Sequence, residues 1–310
     1  MINPFKFIFN IEKSTPSHIA FRVFGIRVNC LRPEIRKERQ KFAQYYQSFE
    51  SAELIPPAEG SLRLIQKAAA QFLKTFDDIC KEHDINYWLD FGTLLGAVRH
   101  KGFIPWDDDI DVSMTREDYE KFIQLLSEGL NTHPEVILEF ENNKRSKCFA
   151  KLKHKNSENL FVDIFPYDFY HTELDDKGKK ELSEKIVTTR KANISRKFKT
   201  IEEIQGHFKK ITKLICDGKF TKFEEQKPLF MGVDFPHRWA NKVYAWNDIF
   251  PLSKIKFEDI EFSAPNKTEK VLKSIYNDYL SIPKDSYPRH SSYIAMGEEE
   301  KALLEELANK

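Results

Sequence analysis

The sequence predicts an α+β fold: a small mixed sheet flanked by helices, completed by a mainly helical carboxy-terminal half. Three observations predict it. Ile110, Val112 and Met114 alternate with Asp109, Asp111 and Ser113, the period of a strand with one buried face. Leu64, Ala68, Phe72 and Phe76 recur at four-residue spacing, the apolar stripe of a helix. From about residue 174 the chain turns rich in Lys and Glu, and the segments 174–216 and 268–280 read as solvated helices.

The elements follow in order. Residues 1–35 carry alternating Phe5, Phe7 and Phe9, then apolar-basic segments around Phe24-Gly25, which predict a small hairpin. That hairpin either docks on the main domain or touches an anionic membrane surface or a partner. Residues 34–50 read as a charged helix, and Pro56-Pro57-Ala58-Glu59-Gly60 as a boundary. Ser61 is the expected cap of a helix reaching Glu82. A short strand, Asn86 to Asp90, turns through Phe91-Gly92-Thr93 into a helix from Leu94 to His100, with Gly102 as its C-cap. Thr115 with Asp118 resembles a capping box and opens a helix to about Leu130. Strands are expected at 136–140, 148–153 and 160–165, and a further one at Ile255–Phe262. These elements divide into an extension over 1–55, a catalytic core over 56–172 and a mainly helical region over 173–310 that completes the site.

Composition excludes several classes. Lys and Arg number 49 against 48 Asp and Glu, a net charge of +1, which lacks the basic face of a general nucleic-acid binder. The 26 Phe and 4 Trp belong mostly to a core, with some left to stack on a base or cage a quaternary amine. Cys30, Cys80, Cys148 and Cys216 are too scattered for a zinc site and read as reduced thiols. No run approaches the roughly 18 apolar residues of a membrane span, and Met1–Phe9, broken by Pro4 and Lys6, is too short for a secretory signal. A cytoplasmic protein is expected, at the inner face of the membrane if the hairpin binds there.

The chemistry concentrates in Tyr87–Met114. Asp107, Asp108, Asp109 and Asp111 fall within five residues, a cluster that repels itself unless a divalent cation sits among it. On a strand Asp109 and Asp111 point the same way, Asp107 joins them if the strand starts early, and Asp108 points elsewhere. An EF-hand loop is excluded because Val112 stands where glycine is required and Asp118 where glutamate is expected. Asp163, inside the apolar run Phe161–Pro166, needs compensation, either from a Lys or Arg or by completing the metal site. Gly92-Thr93, at a strand-to-helix turn, permits a phosphate to approach the backbone. Arg99, His100 and Lys101 either contact phosphate or complement the helix dipole.

Gly-Thr, then Asp-x-Asp on a strand, then a later carboxylate is the layout of the nucleotidyltransferase superfamily, the polymerase-β-like fold. The run from Gly92 to Asp111 and the block Val162-Asp163-Ile164-Phe165-Pro166 resemble the LicD family, and Phe257–Pro265, Tyr279 and Arg289-His290 resemble it more loosely. The resemblance covers about residues 62–290, whereas residues 1–55 match no part of the family. Fukutin and the fukutin-related protein share this core and transfer ribitol phosphate from a CDP donor. Bacterial members resemble phosphocholine transferases that use CDP-choline to decorate lipopolysaccharide glycans or teichoic acids.

The resemblance implies one or two Mg²⁺ ions, with Mn²⁺ able to substitute, held by Asp107, Asp109, Asp111 and Asp163. It makes Asp163 or Asp107 the general base. Gly92, Thr93, Arg99, His100 and Lys101 would bind the CDP-linked donor, CDP-choline favoured, with Arg289 and His290 on donor or acceptor phosphate. A choline donor implies an aromatic cage, for which Trp88, Trp106, Tyr167 and Trp246 are the candidates. The acceptor would be a glycan or glycolipid hydroxyl. The rival reading is a true nucleotidyltransferase that releases pyrophosphate from an NTP.

Overall fold

The computed structural model describes residues 9–11, 18–23, 26–31, 33–130, 132–143, 146–193, 197–219, 226–235, 242–283 and 296–310. The chain forms two compact units, Met1–Ile55 with Ser281–Tyr287, and Pro56–Leu280 with Pro288–Lys310.

In the first unit, β1 (Phe9–Ile11), β2 (His18–Val23) and β3 (Ile26–Leu31) form an antiparallel sheet in that order. Val23 stands opposite Ile26, the register of the hairpin that the sequence predicts. The helix α1 (Pro33–Gln47) follows. The side chains of residues 1–32 lie outside the described residues, and so does the face expected to meet a membrane.

The second unit opens with α2 (Gly60–Glu82). Its N-cap is Glu59, without a side-chain cap bond, and Ser61 lies inside the first turn, so the expected Ser61 cap is not formed. The helix buries Ala68, Phe72 and Phe76 as its periodicity predicts. Next come β4 (Trp88–Leu89), α3 (Phe91–Arg99), β5 (Asp111–Thr115) and α4 (Arg116–Ser127). Thr115 caps α4 by accepting the Asp118 N–H at 3.2 Å. The strands β6 (Val136–Asn142), β7 (Cys148–His154) and β8 (Phe161–Phe169) follow.

Beyond them lie α5 (Asp176–Asn193), α6 (Ile201–Ile215), β9 (Leu229–Met231), β10 (Val243–Tyr244) and α7 (Trp246–Ile249). The chain ends through β11 (Ser253–Phe257), β12 (Ile260–Ala264), α8 (Thr268–Tyr276) and α9 (Glu298–Ala308). The single strand expected at Ile255–Phe262 is thus a hairpin, broken where Glu258 adopts φ +51°.

The strand β8 organises the main sheet. It runs parallel to β5, with Asp111 opposite Asp163 and Thr115 opposite Tyr167. On its other edge β7 pairs with its first half and β9 with its second, both antiparallel. The outer strands are β4 on β5, β10 on β9 and β6 on β7. A central strand is buried on both faces, and β8 is apolar accordingly. Asp163 is the one residue of β8 that is not buried. The helices α5 and α6 close a second core of Leu182, Ile186, Ile204, Phe208, Ile211 and Phe230. Cys80, Cys148 and Cys216 are free and buried, and no described helix is long and apolar enough to cross a membrane.

Candidate active site

The site forms where β5 and β8 begin, at the amino terminus of α3. The turn from β4 into α3 is sharp, and Phe91 takes φ +43°, a left-handed conformation that a bulky residue adopts only when held. What holds it is Asp90 before it and the Phe165 ring, 5.4 Å from the Phe91 ring. Asp90 is fully buried and caps α3 by accepting the Phe91 N–H at 2.9 Å. It also accepts the Ser113 hydroxyl at 2.8 Å and the Tyr167 hydroxyl at 3.0 Å. Burial raises its pKa, and these donors pull the other way. In the sequence Asp90 is only the expected end of a strand; the cue to its capping role is an acidic residue immediately before the helix.

Asp111 and Asp163 face each other across the parallel pair, so their side chains leave the same face of the sheet. On the other edge of β8, Lys151 is the direct partner of Asp163. Its ammonium lies 3.0 Å from Asp163 Oδ1 and 3.8 Å from the centre of the Phe161 ring. A lysine therefore compensates Asp163, which also remains beside Asp111. Nothing in the sequence singles out Lys151, because β7 also carries Lys153 and His154; strand register alone sets Lys151 against Asp163.

Asp107 arrives by a different route from the one expected. The strand starts only at Asp111. Ile104-Pro105-Trp106-Asp107 forms a turn with proline in its second position, closed by the Asp107 N–H on the Ile104 carbonyl at 2.8 Å. That turn folds Asp107 back over α3. A Cβ placed on Gly92 would stand 2.6 Å from Asp107 Oδ2 and 3.7 Å from Asp111 Oδ2. The glycine leaves room for both carboxylates above the first turn of α3. One oxygen each of Asp107, Asp108 and Asp109 lies within 4.8 Å of the others. Asp108, expected to point elsewhere, is thus buried within the cluster.

The electrostatics follow. Burial raises the Asp111 pKa well above the usual carboxylate value, and Asp109, Asp163, Asp107 and Asp90 raise it further. Burial holds the phenol of Tyr276, from α8, protonated, and Asp111, Asp107, Asp90 and Asp109 act in the same direction. Tyr276 carries no cue in the sequence; only folding brings it to the acids. An oxygen-only, half-buried donor set with mutual repulsion suits a hard divalent cation.

The remaining expected residues divide. Thr93 is buried, and its hydroxyl accepts the Asp111 N–H at 2.8 Å, so it orients the acid strand. Arg99 is buried; it donates to the Tyr279 carbonyl at 2.8 Å and to His100 Nε2 at 3.0 Å. Burial, and then Arg99, push the His100 pKa down to about 3, so the ring is neutral at pH 7. Lys101, not Gly102, takes the left-handed position after α3, with φ +60°, and its ammonium donates to the Val98 carbonyl at 3.0 Å. Trp106 packs against this group, 5.9 Å from the Arg99 guanidinium. Arg289 and His290 lie outside the described residues. Of the aromatic-cage candidates, Trp88 and Tyr167 are enclosed in the core and Trp106 is buried; Trp246 is half-buried and stacks on Phe250 at 5.7 Å.

Residues 84–199 match the family model described as LicD/FKTN/FKRP, nucleotidyltransferase domain. This stretch is a LicD-family domain. The chain is 28% identical over 262 residues to the lipopolysaccharide cholinephosphotransferase LicD of Haemophilus influenzae, covering 74% of this chain and 96% of that protein. It is 34% identical over 84 residues to the human ribitol 5-phosphate transferase FKRP, covering 27% of this chain and 17% of that one. With the mouse ribitol-5-phosphate transferase FKTN it shares 29% over 119 residues, 38% of this chain and 20% of that one. The LicD domain contains every acidic residue of the cluster, Gly92 and Lys151, whereas Tyr276 lies outside it.

Proposed function

We propose that this protein is a metal-dependent phosphotransferase that moves phosphocholine, or a related alcohol phosphate, from a CDP-linked donor to a hydroxyl of a cell-surface glycan. One observation carries this reading: inside a LicD domain Asp107 and Asp111 meet over Gly92, and Asp109 and Asp163 lie close enough to raise the Asp111 pKa. The near full-length similarity to a cholinephosphotransferase supports choline as the first donor to test.

Asp107, Asp109, Asp111 and Asp163 would hold Mg²⁺, which when bound neutralises charge on the donor diphosphate. Lys151 keeps Asp163 oriented, and Thr93 fixes the start of β5. Asp107 or Asp163 takes the proton of the acceptor hydroxyl. Gly92 lets the diphosphate approach the amino terminus of α3, where the helix dipole favours negative charge.

The test is CMP release from CDP-choline and other CDP-alcohols, with Mg²⁺, in the presence and absence of a glycan acceptor. Metal-dependent CMP release that Asp109→Ala/Asp111→Ala lacks is the expected result, and the preferred donor names the group. Pyrophosphate release from NTPs, with CDP-alcohols untouched, would establish the rival nucleotidyltransferase reading instead.

A further inference from the structure

The turn that delivers Asp107 is held from outside the LicD domain. Gln66, on α2 and 1% exposed, points its amide into the concave side of that turn. Its Nε2 donates to the Asp107 carbonyl at 2.9 Å and to the Ile104 carbonyl at 3.3 Å. The amide therefore ties the first and last residues of the turn together. Its Oε1 accepts from Arg63 Nη1 at 3.4 Å. Arg63 in turn makes a two-pronged ion pair with Glu258, at 2.8 and 2.7 Å. Glu258 Oε1 accepts the Phe103 N–H at 3.2 Å, and the Glu258 N–H donates to the Lys101 carbonyl at 2.8 Å. Gly102 leaves room for this, since a Cβ there would collide with Glu258 Oε1.

Every link grips the backbone of the strap 101–107 rather than a side chain of the cluster. The two anchors, α2 and the β11–β12 turn, both lie outside the matched residues 84–199. A buried amide whose donors and acceptor are all engaged is conformationally fixed, and a bidentate Arg–carboxylate pair fixes the direction from which it is held. The strap has no strand or helix ladder of its own to set where Asp107 falls.

We infer that Gln66, backed by Arg63 and Glu258, is the positioning residue for the carboxylate of Asp107, and through it for divalent-cation affinity. This rests on the metal-site reading above. Losing a supporting partner of a ligand typically lowers metal affinity about ten- to a hundredfold.

The experiment measures Mn²⁺ binding to the full chain by electron paramagnetic resonance, alongside thermal unfolding and CMP release. Gln66→Met keeps length and removes both donors. Asp77→Asn is the control. It lies on the same helix, eleven residues on and so about 16 Å away, and disturbs the buried hydrogen bond to Tyr87 and the ion pair with exposed Lys81, neither of which touches the strap. The expected result is a fall of about tenfold or more in Mn²⁺ affinity for Gln66→Met. Its kcat falls with it, and Asp77→Asn changes only the unfolding temperature. Unchanged Mn²⁺ affinity in Gln66→Met overturns the inference alone, as does an equal fall in both variants. Failure of the unaltered protein to bind Mn²⁺ sinks the metal-site reading and the inference together.

Discussion

The two ends of the β5–β8 strand pair hold buried carboxylates in opposite ways. At the leading end Asp111 is surrounded by Asp109, Asp163, Asp107 and Asp90, and its pKa is driven up. At the trailing end, on the other face of β8, Asp168 and Asp234 share Arg116, the first residue of α4. Arg116 Nε and Nη2 reach the two oxygens of Asp168, both at 2.9 Å, and Nη1 and Nη2 reach Asp234 at 3.1 and 2.5 Å. Burial opposes the Arg116 charge, but the two carboxylates outweigh it and hold the guanidinium protonated. A cavity of about 530 Å³ opens beside this trio, between α4 and α6. The same strands thus carry carboxylates tied by a shared guanidinium at one end and like charges pressed together at the other. Direct pairing of both carboxylates with one guanidinium marks the tie as structural; repulsion between neighbouring carboxylates marks the other end as a place for a cation.

The comparison breaks most directly at the acids. Asp109→Ala/Asp111→Ala should lower CMP release by a factor on the order of a thousand. Its unfolding temperature without metal should stay level or rise, because like charges are removed. A protein that unfolds instead would make the cluster structural.

At the tie the signs reverse. Arg116→Met leaves two buried carboxylates without their partner and should destabilise the fold by about 3 kcal/mol or more. Adding Asp168→Asn and Asp234→Asn to it should recover much of that loss. Urea unfolding measures both, and Mn²⁺ affinity of the folded fraction should not move.

A smaller effect is expected from Tyr276→Phe, which removes a hydroxyl near the acids and little packing. CMP release should fall by about tenfold while the unfolding midpoint barely shifts. Unchanged turnover would leave Tyr276 as wall rather than participant.

The smallest effect sharpens the electrostatic contrast. The folded pKa of Asp111 is raised above its ordinary value of 3.8. Its contribution to stability is therefore fully present below that ordinary value and is lost as pH rises through the raised one. Without divalent metal, unfolding midpoints should decline across that window, and Asp111→Asn should flatten the decline. Saturating Mg²⁺, which binds the ionised form, should oppose it.

Much of this was legible in one dimension. The Asp-x-Asp spacing predicts a shared strand face, but β5 begins only at Asp111 and Asp109 stands before it; Gly92-Thr93 marks the helix start, where Phe91 takes the left-handed conformation and Gly92 leaves room for Asp107. The α2 stripe and the Thr115 cap are local, so the chain spells them out. The places where sequence reasoning fell short are the non-local ones. Asp107 joins through a proline turn rather than a strand, and Lys101 rather than Gly102 takes the left-handed position. The strand expected at Ile255–Phe262 folds as a hairpin because Glu258 turns back to grip the 101–107 strap.

The sequence by itself determined the α+β class, the acid strand and its third carboxylate, because these rest on periodicities of two and of three to four residues. Only the tertiary structure decided what stands beside them. Strand register set Lys151 against Asp163, a turn brought Asp107 over Gly92, and α2 and α8 carried Gln66 and Tyr276 to the site from 41 residues before and 169 residues after Asp107. Contacts across such separations are fixed by packing and register, which no local pattern encodes.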